Sequence, residues 1–435
     1  MVFLFYLILN TKEVSEMNQA HYKETSTLHR QPRASETQET DKSRHNQQSR
    51  RIWIASWMVT AVFILANLPT PLYVFWQQEM GFSNGTLTLV FAAYIVGLLM
   101  ALLFAGQLSD RFGRKSVLYP GLATAILACL LFATASSVIA LVGARFLSGI
   151  SIGVIVSAGM AAVMDVGGSE QKTTASLAAS VAMVLGAGLG PLLAGILAEI
   201  IAQPVIPIFT IELVLLISAF LIVGILPKRG MESSQQSEWR LKVPSVPSAN
   251  RLHLAFGIAV FAPGITATSF VLSLGPSLLS KLLNIKSPLI SGITACVMFL
   301  AATGIQFMLK KQSVRTNFLI GATATILSMV SIALAVHFSI VLLFVIAAIL
   351  AGIGQGLGQL GGLTLIGVHV PDHRRAEANA VLNLGGYISA ALLPVGTGYL
   401  IDITSLAIGA TIFTAILSIM AGTAMIFVLT RFQKE

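Results

Sequence analysis

Gly106-Gln-Leu-Ser-Asp110-Arg111-Phe-Gly113-Arg114-Lys115 places one acid among three cations between two apolar runs, 85–108 and 116–135. A bilayer crossing takes about twenty apolar residues at 1.5 Å rise each. Both flanking runs meet that length, so the charged stretch is the tight connection between two membrane-crossing helices. Gly113 suits the reversal that so short a connection requires. Gly106 permits two helix ends to approach closely. Asp110, with Arg111, Arg114 and Lys115 around it, is placed to pair with a partner that moves. The positive-inside rule accounts for the three cations alone, but not for the Gly–Asp–Gly spacing.

Outward from this loop the same unit repeats. Apolar runs cover 52–76, 85–108, 116–135, 138–161, 174–199 and 204–226, and then 252–279, 288–309, 316–336, 338–366, 376–400 and 405–430. Every backbone polar group must be satisfied inside lipid, and alternating barrel strands are absent, so the runs are helices. The fold class is all-α integral membrane, with twelve crossings in two six-helix bundles at 52–226 and 252–430. Residues 227–251 form a polar cytoplasmic linker, and 431–435 a short tail. Residues 1–51 are rich in Gln, Ser, Thr, Glu, Lys and Arg without apolar periodicity, which predicts a disordered tail. Met1–Leu9 is too short to span and lacks a basic lead and a cleavage site, so a signal peptide is not expected; Met17 is an alternative start.

Composition agrees. The 435 residues are 55% hydrophobic and 10% charged, against roughly 25% charged in soluble domains, so most of the surface faces lipid. The net charge of +9 sits in loops, which explains it without nucleic acid. Lys and Arg collect on one side: Arg111, Arg114, Lys115, Lys172, Lys310, Lys311, Arg315, Arg374, Arg375, Arg431 and Lys434, with the tail and linker. The other side has little beyond Lys281 and Lys286. Both termini are therefore expected in the cytoplasm. Cys129 and Cys296 lie in apolar runs, so no disulfide scaffold is indicated. The seven histidines have no metal-ligand spacing, and no phosphate-cradling loop or catalytic triad is present. Neither a metal, nor a cofactor, nor an enzyme is expected.

The halves also match each other. Pro191 and Pro394 are 394 − 191 = 203 residues apart, and at that offset Gly149 meets Gly352, Gly153 meets Gly356, Gly159 meets Gly362, Lys172 meets Arg375 and Gly195 meets Gly398. Parallel repeats around a linker are a transporter architecture with a substrate site near the midplane. That repeat argues against the rival reading of a channel or membrane sensor.

The 106–115 loop resembles that of the major facilitator superfamily, G-x-L-x-D-R-x-G-R-K, at every specified position, and the resemblance covers residues 52–430. It implies a monomeric secondary transporter, multi-pass in the bacterial cytoplasmic membrane, working by alternating access with small-molecule substrates, protons and lipid as partners. Gly106, Asp110, Arg111, Gly113 and Arg114 would be a gating latch. The corresponding stretch 309–318 keeps Lys310, Lys311 and Arg315 but no acid.

Arg145-Phe-Leu-Ser-Gly149 in the fourth crossing is similar to the family's second motif, whose arginine is associated with proton movement. The other reading is an arginine snorkelling to the interface. Gly186-Ala-Gly188-Leu-Gly190-Pro191-Leu-Leu-Ala194-Gly195 is similar to the antiporter signature G-x-x-x-G-P-x-x-G-G of the drug:proton exporters, with Ala194 in place of a glycine and Ala179 at an upstream glycine position. The implied function is export of a drug or a metabolite such as a siderophore in exchange for protons; the alternative is proton-linked uptake of a sugar or organic acid. Glu212 in the sixth crossing either carries protons or pairs with a neighbour. Asn67, Gln355, Gln359, Asn383 and Tyr387 are candidates for the substrate cavity, each also suited to an interhelical hydrogen bond. Glu79, Glu199 and Asp402 fall at external helix ends and read as solvated. The first crossing has no acid, which speaks against cationic substrates.

Overall fold

The computed structural model describes residues 34–226, 250–282, 284, 287–371 and 374–432. Most of the expected linker, Lys286, Lys434 and the first 33 residues lie outside them. Among the described residues there are helices and no strands. Twelve helical segments are long and apolar enough to cross a membrane: α1 (His45–Met80), α2 (Asn84–Phe112), α3 (Arg114–Ala133), α4 (Val138–Gly167), α5 (Lys172–Ile200), α6 (Val205–Ile225), α7 (Arg251–Ser273), α8 (Pro288–Leu309), α9 (Val314–Phe338), α10 (Val341–His369), α11 (Glu377–Ile403) and α12 (Leu406–Arg431). Helices extend past several expected ends, because polar residues in the interfacial layer continue a helix that apolarity alone does not mark. The largest difference is at the start. The tail expected to be disordered is helical from Ala34, in one element to Asn67. Its Glu, Gln, Lys and Arg residues are good helix formers, whereas composition weighs only their inability to bury surface.

Two breaks shape the interior. Pro69 and Pro71 remove amide donors, so α1 ends a first helix at Asn67, passes through a 3-10 turn at Thr70–Leu72 and resumes at Tyr73–Met80. In α4 a π-helical turn spans Ile155–Gly159, between two α-helical stretches.

The halves repeat in packing as they do in sequence. Within the first, α2 packs on α4; within the second, α8 packs on α10. Between the halves, α5 packs on α8 and α2 on α11. Gly149 lies against the carbonyl of Tyr94 on α2, and Gly352, its counterpart at the 203-residue offset, against the carbonyl of Met298 on α8. No side chain fits at either point. The close approach expected at Gly106 is not formed, since a Cβ there would meet no atom within 4 Å. The residue sits where α2 runs into the loop, and no other helix end crosses it.

Gly149 and Gly106 therefore predict opposite behaviour. Gly149→Ala forces a Cβ into a backbone carbonyl and costs about 1–3 kcal/mol, lowering the thermal unfolding midpoint of the detergent-solubilised protein. Gly106→Ala, in open space on a helix, leaves the midpoint unchanged or raises it. Equal midpoints for the two variants would contradict this packing.

Candidate functional site

The loop after α2 is built as an anchored corner. Gly113 takes φ +88° and separates α2 from α3. The guanidinium of Arg114 donates from Nη1 to Asp110 Oδ1 at 2.7 Å and to Ser109 Oγ at 2.9 Å, and from Nε to Asp165 Oδ2 at 3.2 Å. Asp165 lies near the end of α4, so Arg114 ties three helix ends together. Lys115 Nζ donates to the carbonyl of Gly224 at 2.8 Å and adds the end of α6. The corner borders a cavity of about 500 Å³ lined by Arg114, Lys115, Asp165 and Lys172 among others. Arg111 lies over the ring of its neighbour Phe112, 5.4 Å from the centroid. Asp110 itself has a side chain 73% exposed and pairs with Arg114. Among the described residues it engages nothing in the second half. Asp165 escapes the sequence reading; an acid in the last turn before a cationic loop was the available signal.

Arg145 is 1% exposed, which excludes snorkelling. It fills the gap that the prolines open in α1. The helix stops at Asn67, leaving the carbonyl of Ala66 without its intrahelical donor, and Arg145 Nη1 donates to it at 2.6 Å. Nε donates to the hydroxyl of Tyr73, the first residue of the resumed helix. Four rings surround the guanidinium carbon, with centroids at 5.0 Å (Tyr73), 5.6 Å (Phe91), 5.8 Å (Phe132) and 5.9 Å (Tyr94). Each such face-on contact contributes about 0.5–2 kcal/mol when desolvated. No carboxylate pairs with Arg145 among the described residues, and Nη2 has no hydrogen-bond partner. The cation is held by carbonyl, hydroxyl and π faces. This cage is invisible in the sequence because its members come from α1, α2 and α3 at no fixed spacing.

Glu212 is likewise 1% exposed, and among the described residues no side chain pairs with either carboxylate oxygen, the backbone of Leu65 on α1 being the polar group beside it. The expected alternative, a pairing with a neighbouring side chain, is not formed among them. Gly186 and Gly190 of α5 lie against the backbone of Thr60 and Ile64 on α1, whereas Pro191 and Gly195 lie against Gly292 on α8. The antiporter-type segment is thus a strip between the first helix of one half and the second helix of the other.

The polar candidates for a cavity are all half-buried, and among the described residues no hydrogen bond joins any two of them. The Asn67 amide donates to Phe63 at 3.5 Å and Asn383 to Asn379 at 2.8 Å, both one turn back on their own helices. Gln355 keeps a buried carbonyl oxygen without a donor. Tyr387 meets Phe261 edge-on at 6.3 Å, and lies close enough to Tyr94, a wall of the Arg145 cage, for the two side chains to interact electrostatically across the halves. None of these five lines the 500 Å³ cavity, or a second one of about 160 Å³ formed by Pro71, Val74, Phe75, Pro276 and Ser291 among others.

The sequence profile of the Major Facilitator Superfamily matches residues 52–338, from the first crossing through the ninth. The chain belongs to that superfamily. Among its relatives, the quinolone resistance protein NorA of Staphylococcus aureus is 26% identical over 223 residues, 49% of this chain and 57% of NorA. The multidrug efflux protein YfmO of Bacillus subtilis is 28% identical over 194 residues, 44% of this chain and 48% of YfmO. The matched stretch thus spans about half the length of these two relatives. A D-xylose-proton symporter superposes with a TM-score of 0.67 over 89% of this chain and 97% of its own, at 15% identity. The nucleoside transporter NupG does so with 0.62 over 89% and 100%, at 14% identity. At such identities the likeness shows the fold alone. The chain is a multi-pass member of this superfamily.

The cage sets a stability prediction. Tyr73→Phe leaves Arg145 Nε without its acceptor, an unmet buried donor worth about 1–3 kcal/mol. The variant should therefore unfold at a lower temperature in detergent. Tyr387→Phe removes a hydroxyl with no hydrogen bond among the described residues and should leave the midpoint in place. The reverse order would remove Tyr73 from the support of Arg145.

Proposed function

We propose that this transporter exports a small organic molecule in exchange for protons, its two six-helix halves rocking about a site between them. One observation carries the reading: the first half buries two ionisable side chains that lack partners of opposite charge, Arg145 in its aromatic cage and Glu212 among apolar neighbours. Intramembrane ionisable groups are costly and are retained where they move charge. A carboxylate buried without a cation costs several kcal/mol unless it takes up a proton, which suits Glu212 to carrying one. It is the proton carrier. Arg145 supplies a fixed positive charge beside Tyr94, which interacts with Tyr387 of the other half, and in an exporter the proton carried by Glu212 leaves on the cation-rich side. That side is cytoplasmic by the distribution of Lys and Arg. The membrane potential contributes about 2.3 kcal/mol per proton per 100 mV.

Asp110, Arg111 and Arg114 act as the latch of the cytoplasmic side. In this conformation Asp110 is exposed, which fits a latch that engages the other half only when that side closes. The direction of transport is supported by relatives that are themselves named for resistance and efflux, and by the α5 strip that joins the halves. Since one chain supplies both halves, a monomer in the bacterial cytoplasmic membrane is sufficient. Asn67, Gln355, Gln359, Asn383 and Tyr387 offer amide and hydroxyl groups to a substrate that carries little charge.

The test uses proteoliposomes with an imposed pH gradient and a fluorescent quinolone as first probe, followed by a panel of uncharged drugs. Wild type should accumulate at least one probe against its gradient and lose accumulation when a protonophore collapses the pH difference. Glu212→Gln should lower accumulation roughly tenfold or more while still equilibrating the probe. Wild-type accumulation that ignores the protonophore would overturn proton exchange, and undiminished pumping by Glu212→Gln would remove that carboxyl from the path.

A further inference from the structure

Glu199 and Asp402 read from the sequence as solvated, and both are exposed, yet each reaches across to the opposite half. Asp402 stands in the last turn of α11. Its Oδ1 accepts from the backbone N–H of Asn84 at 2.9 Å and from the Asn84 side chain at 3.4 Å, and its Oδ2 accepts from the N–H of Gly85 at 2.9 Å. The next donor of α2, the N–H of Thr86, goes to Ser83 Oγ at 3.2 Å. The first turn of α2 therefore has its first two free amides satisfied by a carboxylate of the other half.

Glu199 does the same in reverse. It lies at the end of α5, and its Oε2 accepts from Ser287 Oγ at 2.7 Å and from the N–H of Leu289 at 3.4 Å, at the start of α8. Pro288 between them has no N–H to offer. The two contacts obey the internal repeat: 402 − 199 = 203 and 287 − 84 = 203, the offset of the matched glycines and prolines.

Both carboxylates face the positive end of a helix dipole that belongs to the other half. The backbones close up beside them: Gly398 lies against Asn84 and Gly85, and Gly195 against Pro288 and Gly292. Ser277, just beyond α7, donates to Gln77 Oε1 of α1 at 3.2 Å and adds a third tie on this face. Lys281 faces Asp402; burial lowers its pKa, and the carboxylate opposes that. On the cation-poor face two repeat-related carboxylates thus cap helices of the opposite half, while among the described residues Asp110 on the other face pairs with Arg114 of its own half.

We propose that Glu199 and Asp402 are positioning residues that form a two-fold latch closing the cation-poor face, each by capping the first turn of the helix opposite. The proposal rests on the alternating-access reading above, though not on the direction of transport or on protons. Exposure suits the role, because a cap that water can replace is one that opens. Removing an N-terminal capping group shifts a helix equilibrium by roughly three- to tenfold.

The experiment uses the full chain in lipid nanodiscs, with Cys129→Ser and Cys296→Ala, and a single cysteine at Ser291, which lines the 160 Å³ cavity between the halves on this face. The rate of maleimide labelling reads how often that cavity opens. Glu199→Gln or Asp402→Asn should each raise the rate roughly three- to tenfold, and the two together should multiply. Glu199→Asp and Asp402→Glu, which keep the charge, should restore part of the closure. As a second reading, Ser287→Ala removes one donor to Glu199 while leaving every charge in place, and should raise the rate by less than Glu199→Gln does. An unchanged rate in a monodisperse Glu199→Gln, Asp402→Asn protein would overturn the latch. So would an increase that the charge-keeping variants show to the same degree. Failure of proton-driven efflux with the labelling pattern intact would count against the transport reading and not against the latch.

Discussion

A guanidinium held in the membrane without a carboxylate is the constraint on which the first half depends. Arg145 can be there only because α1 is broken: two prolines end its first helix, expose the carbonyl of Ala66, and bring Tyr73 to the hydroxyl contact. Its desolvation is offset by rings from α1, α2 and α3, which draws those helices around α4. Trp76, one turn beyond Tyr73, continues the same packing by stacking on Phe132 of α3 and Phe209 of α6 at 5.9 and 6.1 Å. The chemistry of the site and the shape of the fold therefore rest on the same few contacts.

The halves touch along two seams, α5 on α8 and α2 on α11, and the carboxylate ties of both seams lie at the cation-poor ends of those helices. Small residues let the backbones close there, and the two carboxylates add direction, because it is the N-terminus of a helix that favours an anion. On the other face Arg114 donates to Asp110, Ser109 and Asp165, all of the first half. Among the described residues, the carboxylate ties between the halves lie on the cation-poor face.

Much of this was legible in the sequence. Apolar runs of bilayer length mark the crossings, since lipid leaves the backbone no other choice, and the 203-residue offset marks the two-fold plan. The helical stretch from Ala34 was not legible, because low apolarity separates buried from unburied segments and does not separate helix from coil. In the site, Arg145, Glu212 and the α5 strip stand out as single residues or local spacings. The cage around Arg145, the link from Arg114 to Asp165 and the caps formed by Glu199 and Asp402 do not, because each joins residues far apart in the chain and depends on how helices are rotated against one another. The caps leave one readable trace: both acids, and the residues they face, obey the repeat offset.

Closure of the two faces in alternation is tested most directly by electron–electron distances between spin labels placed across the halves. One pair sits at Glu79 and Thr404 on the cation-poor face and one at Gln107 and Val368 on the cation-rich face, followed in nanodiscs as the pH is stepped. Alternation predicts reciprocal changes, one distance distribution lengthening while the other shortens. Distances that lengthen together, or that stay fixed on both faces while transport proceeds, would contradict it.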